Sequence, residues 1–208
     1  MNIHKELEKL IAGLDHRPKL LLHSCCAPCS SYCVIYLLPH FDVTCFYYNP
    51  NITDREEYEK RLSELHRLSR IISVPGLPEG YGSKSDAAFD IIDGEYEPER
   101  FTGAVRSQDL EGCPEGGRRC DMCFRMRLSK TLEVAKAGGF EYFTTTLTIS
   151  PHKNAQLIND IGNELAKDGQ VMWLPSDFKK NDGYKRSIEL SKEYGLYRQN
   201  FCGCIYSK

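Results

Sequence analysis

A chain of 208 residues, 41% hydrophobic and 27% charged, can bury a core of ordinary size. Its formal net charge of −2 excludes a chain-wide polyanion-binding surface, so any contact with nucleic acid must come from a local basic patch. No apolar run reaches the roughly 20 residues that a membrane span needs, no secretory leader is read at the N-terminus, and the expected compartment is the cytoplasm.

MNIHKELEKLIAGL predicts an amphipathic helix, and the apolar run from Lys19 to His23 predicts a buried strand. Pro28 suits the first turn of a helix through about Leu38, because its missing N–H falls where no intrahelical bond is made. Val43 to Tyr48, β-branched and aromatic, predicts a second strand. Thr53-x-x-Glu56 reads as a capping box that opens a helix to about Ile72, with Tyr58, Leu62, Leu65 and Leu68 at helical spacing. From Val74 to Arg119 glycine, proline and charge loosen the pattern. A short helix near Asp86 to Ile92 is expected there, inside an otherwise irregular insertion at about 75–119. Cys120 to Ala137 predicts a helix stopped by Gly138-Gly139. A strand (Tyr142 to Ile149), a helix (His152 to Lys167), a strand (Val171 to Leu174) and a last helix (Gly183 to Tyr194) follow, before a tail carrying FCGC.

Strands alternating with helices predict a single α/β domain over residues 1–208, an open and mainly parallel sheet with helices on both faces. Ligands of such sheets sit beyond the carboxyl ends of the strands. HSCCAPCS is such a strand-to-helix turn. A phosphate-cradling turn would be glycine-rich; this one has three cysteines and no glycine.

The ten cysteines therefore set the chemistry. Three groups fall at predicted element boundaries: Cys25, Cys26 and Cys29; Cys120 and Cys123; and Cys202 and Cys204. In a reducing compartment such clusters read as metal ligands or redox groups, not as disulfide staples. Cys33 and Cys45, among apolar neighbours, read as core. Cys113, in the loop before PEGGRRC, stays outside the three groups. A zinc site would use four cysteines and leave the rest without a role. An iron–sulfur cluster accepts thiolates from separate segments. Asp121 reads equally as an oxygen ligand or as a carboxylate opposing the helix dipole. CAPC alone resembles a thioredoxin-like thiol oxidoreductase motif, a reading that leaves most of the other cysteines idle.

LLHSCCAPCS, CFYYNPNI, PEGGRRCDMCFRMRL, TTTLTISPHKN and RQNFCGC, in this order, resemble the QueH-type epoxyqueuosine reductases from about Lys19 to Tyr206. The resemblance implies a fold like the nucleotide α-hydrolase (Rossmann-like) group. It also implies reduction of epoxyqueuosine at the wobble base of tRNA to queuosine, the last step of queuosine synthesis, with a 4Fe–4S cluster. Carried onto this chain, the cluster ligands are Cys25, Cys26, Cys120 and Cys123, with Asp121 as a replacement ligand and Cys29 as a neighbour. Cys202 and Cys204 correspond to redox-active or second-metal cysteines. The division of ligands between the cluster and an additional mononuclear iron stays open, as does the identity of the electron donor.

Partner contacts are read from the residues themselves. An anticodon stem-loop offers phosphates to cations and splayed bases to aromatic rings. The basic run Arg106, Arg118, Arg119, Arg125, Arg127 and Lys130 suits the phosphates. Tyr47, Tyr48 and Asn49 end one predicted strand, and Ser150, His152 and Lys153 follow another, so both sets are expected at the site. His152 is either a proton donor or the cap of the next helix. Two other classes are weighed. An ATP-using tRNA sulfur-transfer enzyme would need the missing glycine-rich loop, and a zinc-stabilised RNA-binding module would hold zinc alone.

Overall fold

The computed structural model describes residues 2–73 and 87–207. Its centre is β1 (Lys19–His23), where Leu20 and Leu22 pack on one face of the sheet and Leu21 on the other. Side chains alternate across a strand, so three consecutive buried leucines require cover on both faces. β1 pairs in parallel with β2 (Asp42–Tyr47) and β4 (Tyr142–Thr145). The edges are β3 (Asp90–Asp93) beside β2 and β5 (Met172–Trp173) beside β4, which gives an all-parallel sheet in the order β3-β2-β1-β4-β5. His23 lies level with Phe46 on one side and Thr145 on the other, so three chain segments leave the sheet together at its carboxyl end.

Helices α1 (Ile3–Ala12), α2 (Ala27–Leu37) and α3 (Arg55–Ile71) cover the Leu20 face. α5 (Arg118–Ala137) and α6 (Ala155–Leu165) cover the Leu21 face through Phe124, Leu128, Leu132, Ile158 and Ile161. α4 (Pro98–Ser107) contributes Phe101 and Val105 to a third, smaller cluster, and α7 (Gly183–Glu193) packs on α2. This is the α/β architecture expected from the alternating pattern. Cys33 and Cys45 are fully buried in the main core, as expected. Among the described residues no helix is long and apolar enough to cross a membrane.

Five local expectations are corrected. The segment expected to be a helix ending at Ile92 is the edge strand β3 where it is described, and Asp86 lies outside the described residues. Four residues are too few to display a period, and pairing with β2 decides their conformation. The remainder of the expected irregular insertion contains α4, whose Phe101 and Val105 stand one turn apart; residues 75–86 lie outside the described residues. α3 is capped by Asp54, which accepts from the Glu57 N–H at 3.0 Å, and not by Thr53. β4 stops at Thr145 because the Thr145 hydroxyl accepts from the Leu147 N–H at 3.1 Å, turning Thr146–Ile149 into a 3₁₀ turn. Asn154, not His152, caps α6, accepting from Leu157 N–H at 3.2 Å.

Candidate metal centre

The turn after β1 is held by its neighbours. Ser24 N–H donates to the Phe46 carbonyl at 2.9 Å, and Cys25 N–H donates to the Thr146 hydroxyl at 3.3 Å. Cys26, in extended conformation, precedes the first turn of α2, and Cys29 follows within that turn. The Cys25 and Cys26 sulfurs are 3.7 Å apart. With Cys29 all three lie within 4.8 Å of one another, the one such group of three histidine, cysteine or acidic ligand atoms among the described residues. These thiols can hold a metal ion.

Their electrostatics are those of one shared negative charge. The Cys26 and Cys29 thiols donate to Cys25 and hold it well below the ordinary thiol range, with Lys153 and Arg127 assisting against burial. Cys26 is pushed up to about 12 and Cys29 is raised as well, chiefly because each keeps its proton beside the Cys25 sulfur. The Thr146 hydroxyl donates to Cys25 at 3.5 Å, and the start of α2 adds its dipole.

On the facing helix, Cys120 and Cys123 occupy the first turns of α5. The Cys120 sulfur accepts from Gly116 N–H at 3.2 Å. Cys123 is buried and its thiol raised by that burial, with Arg127 opposing. Arg127 donates to Asn49 Oδ1 at 2.5 Å and to His23 Nε2 at 3.3 Å, and approaches the Cys123 sulfur at 4.0 Å. His23, wholly enclosed, is pushed from its ordinary value down to about 3 by burial and then by Arg127, so its ring is neutral.

The tail forms the third side. Gly203 sits at φ +97°, and a Cβ there would meet Ile52 Cγ1 at 2.7 Å, so the tight turn between Cys202 and Cys204 requires glycine. Both cysteines are free thiols. A hydrogen bond from Cys204 brings Cys202 down to about 5, and Cys204, keeping the proton, is raised. Cys123 and Cys204 share the small cluster with Phe101, and Cys113 and Cys202 pack against it.

Cys25, Cys29 and Cys202 open into one cavity of about 610 Å³, with Arg127, Ser150, His152 and Lys153 on its walls. The three residues after β4 therefore stand where the strand-end argument expects them. Asn49 is buried and structural, donating to the Ser24 carbonyl at 3.0 Å while it accepts from Arg127. Tyr47 is enclosed in the core, its hydroxyl donating to the Tyr58 carbonyl at 3.0 Å, and it does not line the cavity. Arg118 is exposed, whereas Arg119 is buried and donates to the carbonyls of Leu110, Glu111, Cys113 and Tyr206. Asp121 accepts from Arg125 at 3.2 Å.

Sequence reasoning missed Thr146 and Arg61. Thr146 was hidden in an apparent strand, and only the end of β4 reveals it. Arg61 lies in a charged helix and resembles any surface arginine, yet it is buried and donates to the carbonyls of Phe201 and Cys202 at 3.3 and 3.2 Å.

A family model described as "Epoxyqueuosine reductase QueH" matches residues 20–208. The chain is 43% identical over 205 residues to the epoxyqueuosine reductase QueH of Streptococcus pyogenes serotype M1, covering 99% of this chain and 76% of that protein. It is 40% identical over 210 residues to the same-named protein of Staphylococcus epidermidis, covering 100% and 84%. For the same-named protein of Thermotoga maritima the identity is 34% over 191 residues, covering 90% and 89%. A cysteine-walled cavity at the end of a parallel sheet and matches along nearly the whole chain lead to one assignment: the chain belongs to the QueH family of epoxyqueuosine reductases and is an oxidoreductase.

Proposed function

We propose that this protein reduces epoxyqueuosine to queuosine at the wobble base of a tRNA anticodon stem-loop, in the cytoplasm, using a 4Fe–4S cluster. The reading is carried by one observation: Cys25 and Cys29, grouped with the buried Cys26, line the same cavity as Cys202. Removal of the epoxide oxygen takes two electrons and two protons and leaves an alkene and water; the electrons come ultimately from an external donor.

The donor set suits such a group, since soft thiolates select iron–sulfur clusters. Cys25, Cys26, Cys120 and Cys123 are the ligand set that the family resemblance implies. The closeness of Cys29 to Cys25 and Cys26 favours including it, for the cluster or for an additional mononuclear iron; Asp121 stays the replacement ligand that the resemblance implies. When bound, the cluster supplies electron transfer and Lewis acidity.

The chain supplies the rest. Arg127 and Lys153 put positive charge beside the Cys25 sulfur. Ser150, His152 and Lys153 face the cavity, where Lys153 can bind a phosphate or the departing oxygen and His152 can hold a proton. Cys202 and Cys204 form a dithiol whose oxidation to a disulfide releases two electrons and two protons, the amount that one turnover consumes. Arg118 is an exposed cation for the tRNA backbone.

Anaerobic reconstitution with iron and sulfide, followed by assay on tRNA carrying epoxyqueuosine, tests the proposal. Bound iron and sulfide with loss of one oxygen mass from the nucleoside is the expected result. Binding of zinc alone, without conversion, would overturn it in favour of an RNA-binding module.

A further inference from the structure

Arg127 is an unusual helix arginine. It is 3% exposed, and among the described residues no carboxylate forms an ion pair with it. Arg61, comparably buried, is paired with Glu57 at 2.6 Å. The partners of Arg127 are an imidazole, an amide oxygen and a thiol: His23, Asn49 and Cys123. A buried charge without an opposite charge is strongly unfavourable, and hydrogen bonds to neutral groups offset only part of that cost. Arg127 also lines the cavity, as Cys25 does. What it lacks is a carboxylate; the negative charge near it is the one shared at the Cys25 sulfur.

The same contacts form a tie between cysteine segments. Arg127 stands one turn beyond Cys123 on α5. Its fork grips Asn49, and the Asn49 amide donates to the carbonyl of Ser24, the residue before Cys25. A second arm reaches His23, at the end of β1. The helix bearing Cys120 and Cys123 is thereby fastened to the turn bearing Cys25 and Cys26.

We infer that Arg127 is the positioning residue of the centre: its buried charge balances a net-negative metal–sulfur group held between the β1–α2 turn and α5, and its fork sets the spacing of the two cysteine segments. The inference rests on the reading that these cysteines hold such a group. It separates Arg127 from the exposed arginines of the same helix, which meet solvent or surface carboxylates.

The test uses two readouts besides turnover. Metal-free reduced protein is titrated anaerobically with Co²⁺ and followed by the thiolate-to-cobalt charge-transfer band. Reconstituted protein is titrated for its midpoint potential. Arg127→Gln should bind Co²⁺ at least about tenfold more weakly. It should also shift the reduction equilibrium at least about tenfold toward the oxidised form, about 59 mV more negative for a one-electron couple, because the reduced centre carries one more negative charge. Arg127→Lys keeps the charge and loses the fork, and Asn49→Ser keeps the charge and removes the amide that the fork grips, so both should weaken Co²⁺ binding with the potential unchanged. They carry the test if Arg127→Gln does not fold. Wild-type affinity and potential in Arg127→Gln, or wild-type affinity in both charge-retaining variants, would overturn the inference while leaving the cysteine centre intact. Failure of the unsubstituted protein to give a thiolate–cobalt band would remove the centre itself, and the inference with it.

Discussion

The guanidinium of Arg61 donates at 3.2 Å to the carbonyl of Cys202, 141 residues further along the chain. Glu57 neutralises the arginine from the preceding turn of α3, and Asn51 adds a second donor to the same carbonyl at 3.2 Å. The tail thiols are thus positioned by a helix on the opposite side of the sequence. A carbonyl bonded twice by buried donors does not drift, so the Cys202 sulfur has a defined place at the cavity wall.

Gly203→Ala tests that placement. The residue sits at φ +97°, and the new methyl would fall 2.7 Å from Ile52 Cγ1. Left-handed strain and the clash together should cost about 1–3 kcal/mol, taken locally by release of the tail. The expected outcome is faster alkylation of Cys202 and Cys204 in the metal-free protein, located by peptide mass mapping, with a small change in melting temperature. Unchanged alkylation rates would show that the turn does not hold the thiols.

The cysteines divide by surroundings. Cys120→Ala should remove the broad absorption near about 400 nm expected of a thiolate-bound cluster, with loss of iron and sulfide. Cys29→Ala should lower metal content too, because its sulfur belongs to the tight group. Cys33→Ala, in the core, should retain full metal content and cost about 1–2 kcal/mol in urea denaturation. Full iron and sulfide in Cys120→Ala would dismiss α5 as a ligand segment.

Adjacent arginines should separate cleanly. Arg118→Ala removes one exposed cation and should reduce the salt slope of tRNA binding by about one without altering stability. Arg119→Ala takes the guanidinium from the carbonyls of Leu110, Glu111, Cys113 and Tyr206, of which Leu110 keeps the Cys113 N–H, and should destabilise the protein by about 2–4 kcal/mol. A salt slope changed by Arg119→Ala alone, at unchanged stability, would reverse the assignment.

His23 supplies a pH dependence. Its ring stays neutral until about pH 3, against an ordinary value of 6.5, because burial and Arg127 oppose the charge. Above the ordinary value neither state binds the proton and the full stability is present. As pH falls below it the unfolded chain takes up a proton that the folded chain refuses, so stability declines by up to about 1.4 kcal/mol per pH unit until the folded value is reached. Urea denaturation of metal-free protein between about pH 7 and pH 4 should show a shallower acid slope in His23→Asn than in the unsubstituted chain. Equal slopes would mean that the ring is not the acid-sensitive group.

Much of the scaffold was legible in the residues because its signals are local. LLL before HSCC suits a buried strand, Pro28 opens α2, and Gly138-Gly139 ends α5, where Gly139 takes φ +66°. The cysteine groups stood out by spacing and by their place at element boundaries, and Cys33 and Cys45 by their apolar neighbours. What the residues could not reveal depends on partners distant in sequence. Arg119, Arg125 and Arg127 are indistinguishable in RRCDMCFRMRL, yet one ties loop carbonyls, one pairs with surface carboxylates and one is buried against His23 and Asn49. The edge strand β3 exists because β2 offers it hydrogen bonds, and Tyr47 turns into the core because strand alternation puts it on the α3 side. Backbone preference and side-chain pattern act over a few residues and can be read one at a time. Burial and charge compensation are properties of a packed neighbourhood, and only the tertiary structure brings that neighbourhood together.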